Sequence, residues 1–240
     1  MNARLRALLW RWLKRAGLTL IALSMLLGLT GLTYQAVATA RDARRFPPPG
    51  RLVDVGGYRL HAHCTGEGSP TVILEAGWSD CWLNWYRVQP EVAKFTRVCS
   101  YDRAGMGWSD AGPYPRTSGQ IVREMHALLS NAGIPGPYVL VGHSFGGFNV
   151  RLFAQEHPQD VAGLVLLDSI HEDQWARMPE SMRACRRALP KKLKNGIPWC
   201  PLGAIRGFYT YPNPKLADAM QGVNRAVKSR IHEISANEAR

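Results

Sequence analysis

Ser144 stands in Gly142-His143-Ser144-Phe145-Gly146, after the apolar run Val139-Leu140-Val141 and before Phe148, Val150, Leu152 and Phe153. That pattern suits a nucleophile elbow, a sharp strand-to-helix turn that lifts a serine Oγ clear of the backbone. Side chains at Gly142 and Gly146 would collide with the adjoining strand and helix. The backbone N–H of Phe145 is then aimed at the charge that develops on a substrate carbonyl, aided by the positive end of the following helix. The chemistry implied is acyl transfer through a covalent intermediate on Ser144. It needs no cofactor and no metal.

Elements must hold that turn in place. Tyr138 onward reads as a buried strand and Phe148 to Gln155 as a helix. Arg51 to Val55 and Tyr58 to Cys64 flank Gly56-Gly57, a pair suited to a two-residue hairpin turn. Thr71 to Glu75 and Thr96 to Tyr101 are further strands, with short helical pieces between Trp82 and Ala93 that Pro90 interrupts. Gly119 to Ala132 has helical spacing in Ile121, Val122, Met125, Leu128 and Leu129. Val161 to Leu167 reads as another buried strand, ending at Asp168. A hairpin followed by alternating strands and helices predicts an α/β fold, a mostly parallel sheet with helices on both faces. Reactive groups in such sheets gather at the carboxyl ends of the strands, where Gly77, Ser144 and Asp168 all fall.

The formal charge of +12 over 240 residues suggests a phosphate-binding surface until it is divided. Residues 1–51 carry nine Lys/Arg and one acid, a net +8, leaving only +4 for the rest. The excess therefore flanks the apolar stretch 16–40, and membrane topology explains it better than nucleic-acid binding. Residues 16–40 hold no charge and are long enough to cross a bilayer as a helix. Trp10 and Trp12 suit its interface. The basic lead 1–15 places the N-terminus in the cytoplasm and the remainder outside, although Arg41, Arg44 and Arg45 oppose that orientation. A cleaved signal peptide fits less well, because the apolar stretch exceeds the usual core. The expected organisation is a basic lead (1–15), a single-pass transmembrane anchor (16–40) and a Pro-rich linker (41–50). A core (51–170) and a helical, lid-like region (171–240) follow.

The five cysteines show no paired C-x-x-C spacing, so no zinc site is expected. Outside the cytoplasm Cys185 and Cys200 are near enough in sequence for a disulfide, and buried free thiols are the alternative. His61, His63 and Cys64 alternate along the hairpin without a fourth ligand at suitable spacing.

Three motifs together are far more specific than the elbow alone: Glu75-Ala-Gly-Trp78, Tyr101-Asp-Arg-Ala-Gly-Met-Gly-Trp-Ser109 and Gly142-His-Ser-Phe-Gly146. On these the chain resembles the α/β-hydrolase superfamily, close to its esterase, lipase and peptidase-like branch, over roughly residues 51 to 173. The resemblance implies Ser144 as nucleophile, with Phe145 N–H and the backbone around Gly77-Trp78 as the oxyanion hole. It also implies the order serine, acid, histidine, with the histidine after a late strand.

Here the chain departs from the pattern. After Ser144 it offers only His157, His171 and His232, none of which follows a late strand. The last two strands of the fold are expected to be missing. Asp168 fits the acid position after the strand next to the elbow, and His232 is the replacement base. His157 reads as solvated, and His171 as too close in chain to Asp168 for a triad. His143 takes a packing or hydrogen-bonding role beside the substrate. Trp78, Trp82, Trp85 and Trp108 either line an acyl pocket, Trp82 in contact with substrate, or pack under the lid. Asp102 and Arg103 are expected to join a structural hydrogen-bond network.

The leading expectation is a membrane-anchored serine hydrolase acting on a small ester or amide, its domain on the extracytoplasmic side. Asp in place of Ser144 would be needed for a dehalogenase. The competing expectation is a non-catalytic module of the same fold or a truncated fragment, inactive for want of the usual histidine.

Overall fold

The computed structural model describes residues 3–184; His232, Cys185, Cys200 and most of the expected lid lie outside the described residues. Six strands form one sheet in the order β1-β2-β4-β3-β5-β6. They are β1 (Arg51–Asp54), β2 (Arg59–Thr65), β3 (Thr71–Glu75), β4 (Val98–Tyr101), β5 (Tyr138–His143) and β6 (Val161–Leu167). The first two form the expected hairpin, with Gly56 and Gly57 at positive φ and the Asp54 carboxylate accepting both of their N–H groups. β2 then pairs antiparallel with β4, and β4-β3-β5-β6 run parallel.

Because successive side chains on a strand face opposite ways, the sheet builds two cores. Ile73 and Leu140 lie on one face beneath Val122, Met125 and Leu128 of α3 (Ser118–Asn131) and Val150 and Phe153 of α4 (Gly146–Glu156). Their neighbours Val72, Leu74, Val98 and Val141 pack on the other face against Trp85 and Val92. The helix spacing of residues 119–132 thus becomes the contact surface of α3, whose N-cap Thr117 accepts from Gln120 N–H.

Four details differ from the sequence reading. The N-terminal helix α1 runs unbroken from Ala3 to Arg45, so the basic lead and the first half of the expected linker are helical; only Phe46 to Gly50, rich in proline, separates it from β1. Pro90 does not interrupt a helix but sits in the first turn of α2 (Gln89–Val92), where a missing N–H costs nothing. Strand β6 is not buried: Leu164 to Leu167 are 40–45% exposed, because among the described residues β6 pairs on one edge only, with β5. Cys64 and Cys99, unassigned from sequence, are joined by a disulfide between β2 and β4, and Cys81 is buried and free.

Candidate active site

The elbow forms where β5 gives way to α4. Ser144 adopts φ +50, a region that costs a non-glycine residue strain of about 1–3 kcal/mol and persists only where the surroundings fix it. Here they do so from two sides. Ser144 N–H donates to the Leu167 carbonyl at 3.1 Å, and the Ser144 carbonyl accepts from Gly147 and Ile170 at 3.1 and 3.2 Å. Glycine is required here by contact: a Cβ on Gly146 would lie 2.5 Å from the Glu75 carbonyl oxygen and 2.7 Å from that of Ala76.

The loop after β3 closes over the serine. A Cβ on Gly77 would meet Ser144 Cβ at 3.4 Å and His143 Nδ1 at 3.1 Å, so Gly77, His143 and Ser144 share one small space. Residues 77–80 make a tight turn in which Asp80 N–H donates to the Gly77 carbonyl at 3.2 Å and Ser79 carries φ +58. The Asp80 carboxylate approaches His143 Nδ1 at 4.0 Å, and Trp85 packs edge-on against that imidazole.

A buried ionic network lies behind this loop. Arg103 donates from Nη1 to Glu75 Oε1 at 2.9 Å and to the Ala76 carbonyl at 2.7 Å, and from Nη2 to the Gly77 carbonyl. Asn149 on α4 donates to the same Glu75 oxygen at 2.6 Å. Burial works against the Arg103 charge, but Glu75 outweighs it and keeps the guanidinium protonated above its ordinary range. Asp102, also buried, accepts from Trp82 N–H, Trp108 N–H and the His61 ring, while the other His61 nitrogen faces the Pro49 carbonyl. The expected Asp102 and Arg103 network is therefore two networks, one facing the elbow and one fastening the Pro-rich linker to the sheet.

The remaining candidates fall as follows. Asp168 follows β6 at φ +44, one strand over from the elbow. His171 is exposed, and its Nδ1 accepts from Asp173 N–H within its own turn. His157 stacks on His126 at 4.1 Å with the rings 10° from parallel. Those two histidines and Asp160 are the one group of three possible metal ligands among the described residues. Parallel stacked rings cannot both hold one ion in plane without turning, so the arrangement as it stands is a ring stack. Among the described residues, Ser144 Oγ makes no hydrogen bond.

Of the four tryptophans, Trp78 lines a cavity of about 160 Å³ together with Phe145, Met106, Ile121, Arg103 and Arg116. Trp85 and Trp108 are core residues, and Trp82 packs edge-on against His61 and His63 rather than on this cavity. Arg103 was expected in a hydrogen-bond network, but its partners Glu75 and Asn149 escaped sequence reasoning because Glu75 lies 28 residues from Arg103 and 74 from Asn149. The network's only signal was a charged pair flanking apolar strands.

A family model described as alpha/beta hydrolase fold matches residues 70–195. The chain is 35% identical over 136 residues to a probable transporter, efuK, of Hormonema carpetanum, covering 53% of this chain and 20% of that one. It is 34% identical over 126 residues to a 2-hydroxymuconate semialdehyde hydrolase of Pseudomonas sp. (strain CF600), covering 51% and 44%. The chain thus spans less than half the length of either relative. Among solved structures, the epoxide hydrolase CorEH without ligand superposes with a TM-score of 0.54 at 22% identity, over 79% of this chain and 74% of that one.

Proposed function

This chain belongs to the alpha/beta hydrolase fold family, and we propose that it is a membrane-anchored serine hydrolase acting on a small ester or amide through an acyl-enzyme on Ser144. The observation that carries this reading is the strained φ +50 of Ser144 at the tip of β5, with Gly77 against its Cβ. A serine held in that way serves nucleophilic attack and has no packing role that would explain the strain. Attack on the carbonyl puts negative charge on its oxygen, which takes the N–H of Phe145 and a backbone N–H of the Gly77-Trp78 loop. Asp168 and His232 are the acid and base of this reading, the base accepting the Ser144 proton and returning it to the leaving group. The cavity beside Trp78 and Phe145 is close in volume to one that holds benzene, which favours a short apolar acyl group.

Anchoring rests on α1, the one helix among the described residues long and apolar enough to cross a membrane. Orientation follows from two features together. Five cations (Arg4, Arg6, Arg11, Lys14, Arg15) precede the apolar stretch and four (Arg41, Arg44, Arg45, Arg51) follow it, a bias too slight to decide alone. The Cys64–Cys99 disulfide favours an oxidising compartment, and so an extracytoplasmic domain.

Hydrolysis of p-nitrophenyl acetate and butyrate by the full chain tests the reading. Turnover above background that disappears in Ser144→Ala supports it, and equal rates in the two proteins reject it. A second reading, a non-catalytic binding module of the same fold, is favoured by the absence of a hydrogen-bonded base on Ser144 Oγ among the described residues. It predicts no turnover in either protein.

A further inference from the structure

The geometry points to Arg103 as a positioning residue that sets both oxyanion donors at once, through a buried clamp shared with Glu75 and Asn149. The inference rests on the serine-hydrolase reading of Ser144 and adds to it the group that fixes the donors' direction.

Arg103 touches both halves of the hole. On one side its two terminal nitrogens hold consecutive carbonyls, those of Ala76 and Gly77. A peptide unit is planar and trans, so fixing a carbonyl fixes the opposite N–H. With the Gly77 carbonyl drawn to Arg103, the Trp78 N–H points away from it; with the Ala76 carbonyl drawn in, the same holds for the Gly77 N–H. On the other side the guanidinium carbon lies 5.6 Å from the centroid of the Phe145 ring, a cation–π contact on the residue whose N–H is the second donor.

The clamp is rigid because each member is buried and hydrogen-bonded to another, Arg103 and Asn149 both donating to Glu75. Arg103 is 6% exposed, Glu75 1% and Asn149 0%. Glu75 receives Arg103 and Asn149 on one oxygen, which ties the end of β3 to α4, the helix that begins at the elbow. Gly146 packs its backbone directly on the Glu75 and Ala76 carbonyls. Loop, elbow and helix therefore move as one unit. Lysine cannot replace arginine here. A single ammonium presents its donors from one point and cannot span two carbonyls and a carboxylate while covering an aromatic face.

A buried ion pair that served stability alone would look similar at rest but behave differently in kinetics. The test uses the full chain, wild type against Arg103→Lys, with Asn149→Ala as a milder second variant. Time courses of phosphonylation by a fluorophosphonate probe are recorded at several probe concentrations, alongside amide hydrogen exchange of residues 76–80. The clamp predicts labelling to full amplitude in Arg103→Lys, with the saturating rate constant about 10- to 100-fold lower and the half-saturating probe concentration little changed. Exchange over 76–80 is faster in the same protein. Asn149→Ala shifts both readouts the same way by less. Reduced amplitude at the wild-type rate constant, the mark of a role in stability only, overturns the inference. If wild-type Ser144 does not react, the serine reading itself fails, and unchanged exchange over 76–80 then overturns the clamp independently.

Discussion

Cys64 and Cys99 face each other across the β2–β4 ladder and are covalently joined, although 35 residues separate them in sequence. The bridge closes a loop that contains β3 and the whole turn over Ser144, so it restricts the unfolded chain where the site is assembled. Loop-closure entropy for that length gives about 3–4 kcal/mol. Urea unfolding of the Cys64→Ser/Cys99→Ser protein is expected to show a loss of that size. Mapped alkylation of the native protein should leave Cys64 and Cys99 unmodified until a reductant is added, whereas free modification of both contradicts the bridge.

Two glycines to alanine separate contact from composition. Gly146→Ala drives a methyl into the Glu75 and Ala76 carbonyl oxygens, backbone atoms that cannot swing aside as a side chain would. A loss of at least about 2 kcal/mol follows from overpacking of this kind. Gly163→Ala on the exposed edge strand meets nothing within 4 Å and is expected to change stability by no more than about 0.5 kcal/mol. Thermal melts of the two proteins make the comparison.

Glu124 sets an acid limit on stability. Burial raises the affinity of its carboxyl for a proton, but hydrogen bonds from Arg116, Tyr58 and Gln120 outweigh that and hold it below its ordinary value of 4.5. A carboxyl depressed on folding contributes stability that is complete above the unfolded value and is lost as pH falls through the lower folded one. Chemical denaturation from pH 7 to pH 3 should therefore show the wild type losing stability below about pH 4.5. Glu124→Gln, which leaves Arg116 without its carboxylate, is expected to be about 3 kcal/mol weaker at pH 7. The gap between the two proteins narrows toward pH 3; a gap independent of pH contradicts the assignment.

The local signals in the sequence carried most of the fold. Gly56-Gly57, the spacing of Ile121 to Leu129 and the elbow glycines each act through neighbours within a few residues, so their conformations follow from the chain itself. What escaped depended on distant partners. The Cys64–Cys99 pairing requires β2 to lie beside β4 rather than β3, and nothing in either strand specifies that order. The exposure of Leu164 to Leu167 follows from β6 pairing only with β5 among the described residues, so an apolar run alone read as buried. Arg103 was expected in a hydrogen-bond network, but that Glu75 and two carbonyls converge on it depends on residues distant in sequence. For the site, the turn at Ser144 was legible from its flanking glycines, and Gly77 entered through the resemblance. Whether Trp82 or Trp78 faces the cavity depended on how the loop after β3 folds back.

Topology has its own test. Single cysteines replacing Arg4 and Gly57 lie before and after the apolar stretch 16–40, in a background with Cys81, Cys185 and Cys200 changed to serine. A membrane-impermeant maleimide applied to intact cells is expected to label the Gly57→Cys protein and not the Arg4→Cys protein. The opposite pattern would place the domain in the cytoplasm and remove the reason for an oxidised Cys64–Cys99 pair.

The nucleophile is tested most directly by intact-mass and peptide-mapping spectrometry of the full chain after treatment with a fluorophosphonate. The account predicts a single phosphonyl adduct on the peptide containing Ser144, absent from Ser144→Ala. An unmodified wild-type protein, or an adduct on another residue that persists in Ser144→Ala, contradicts it.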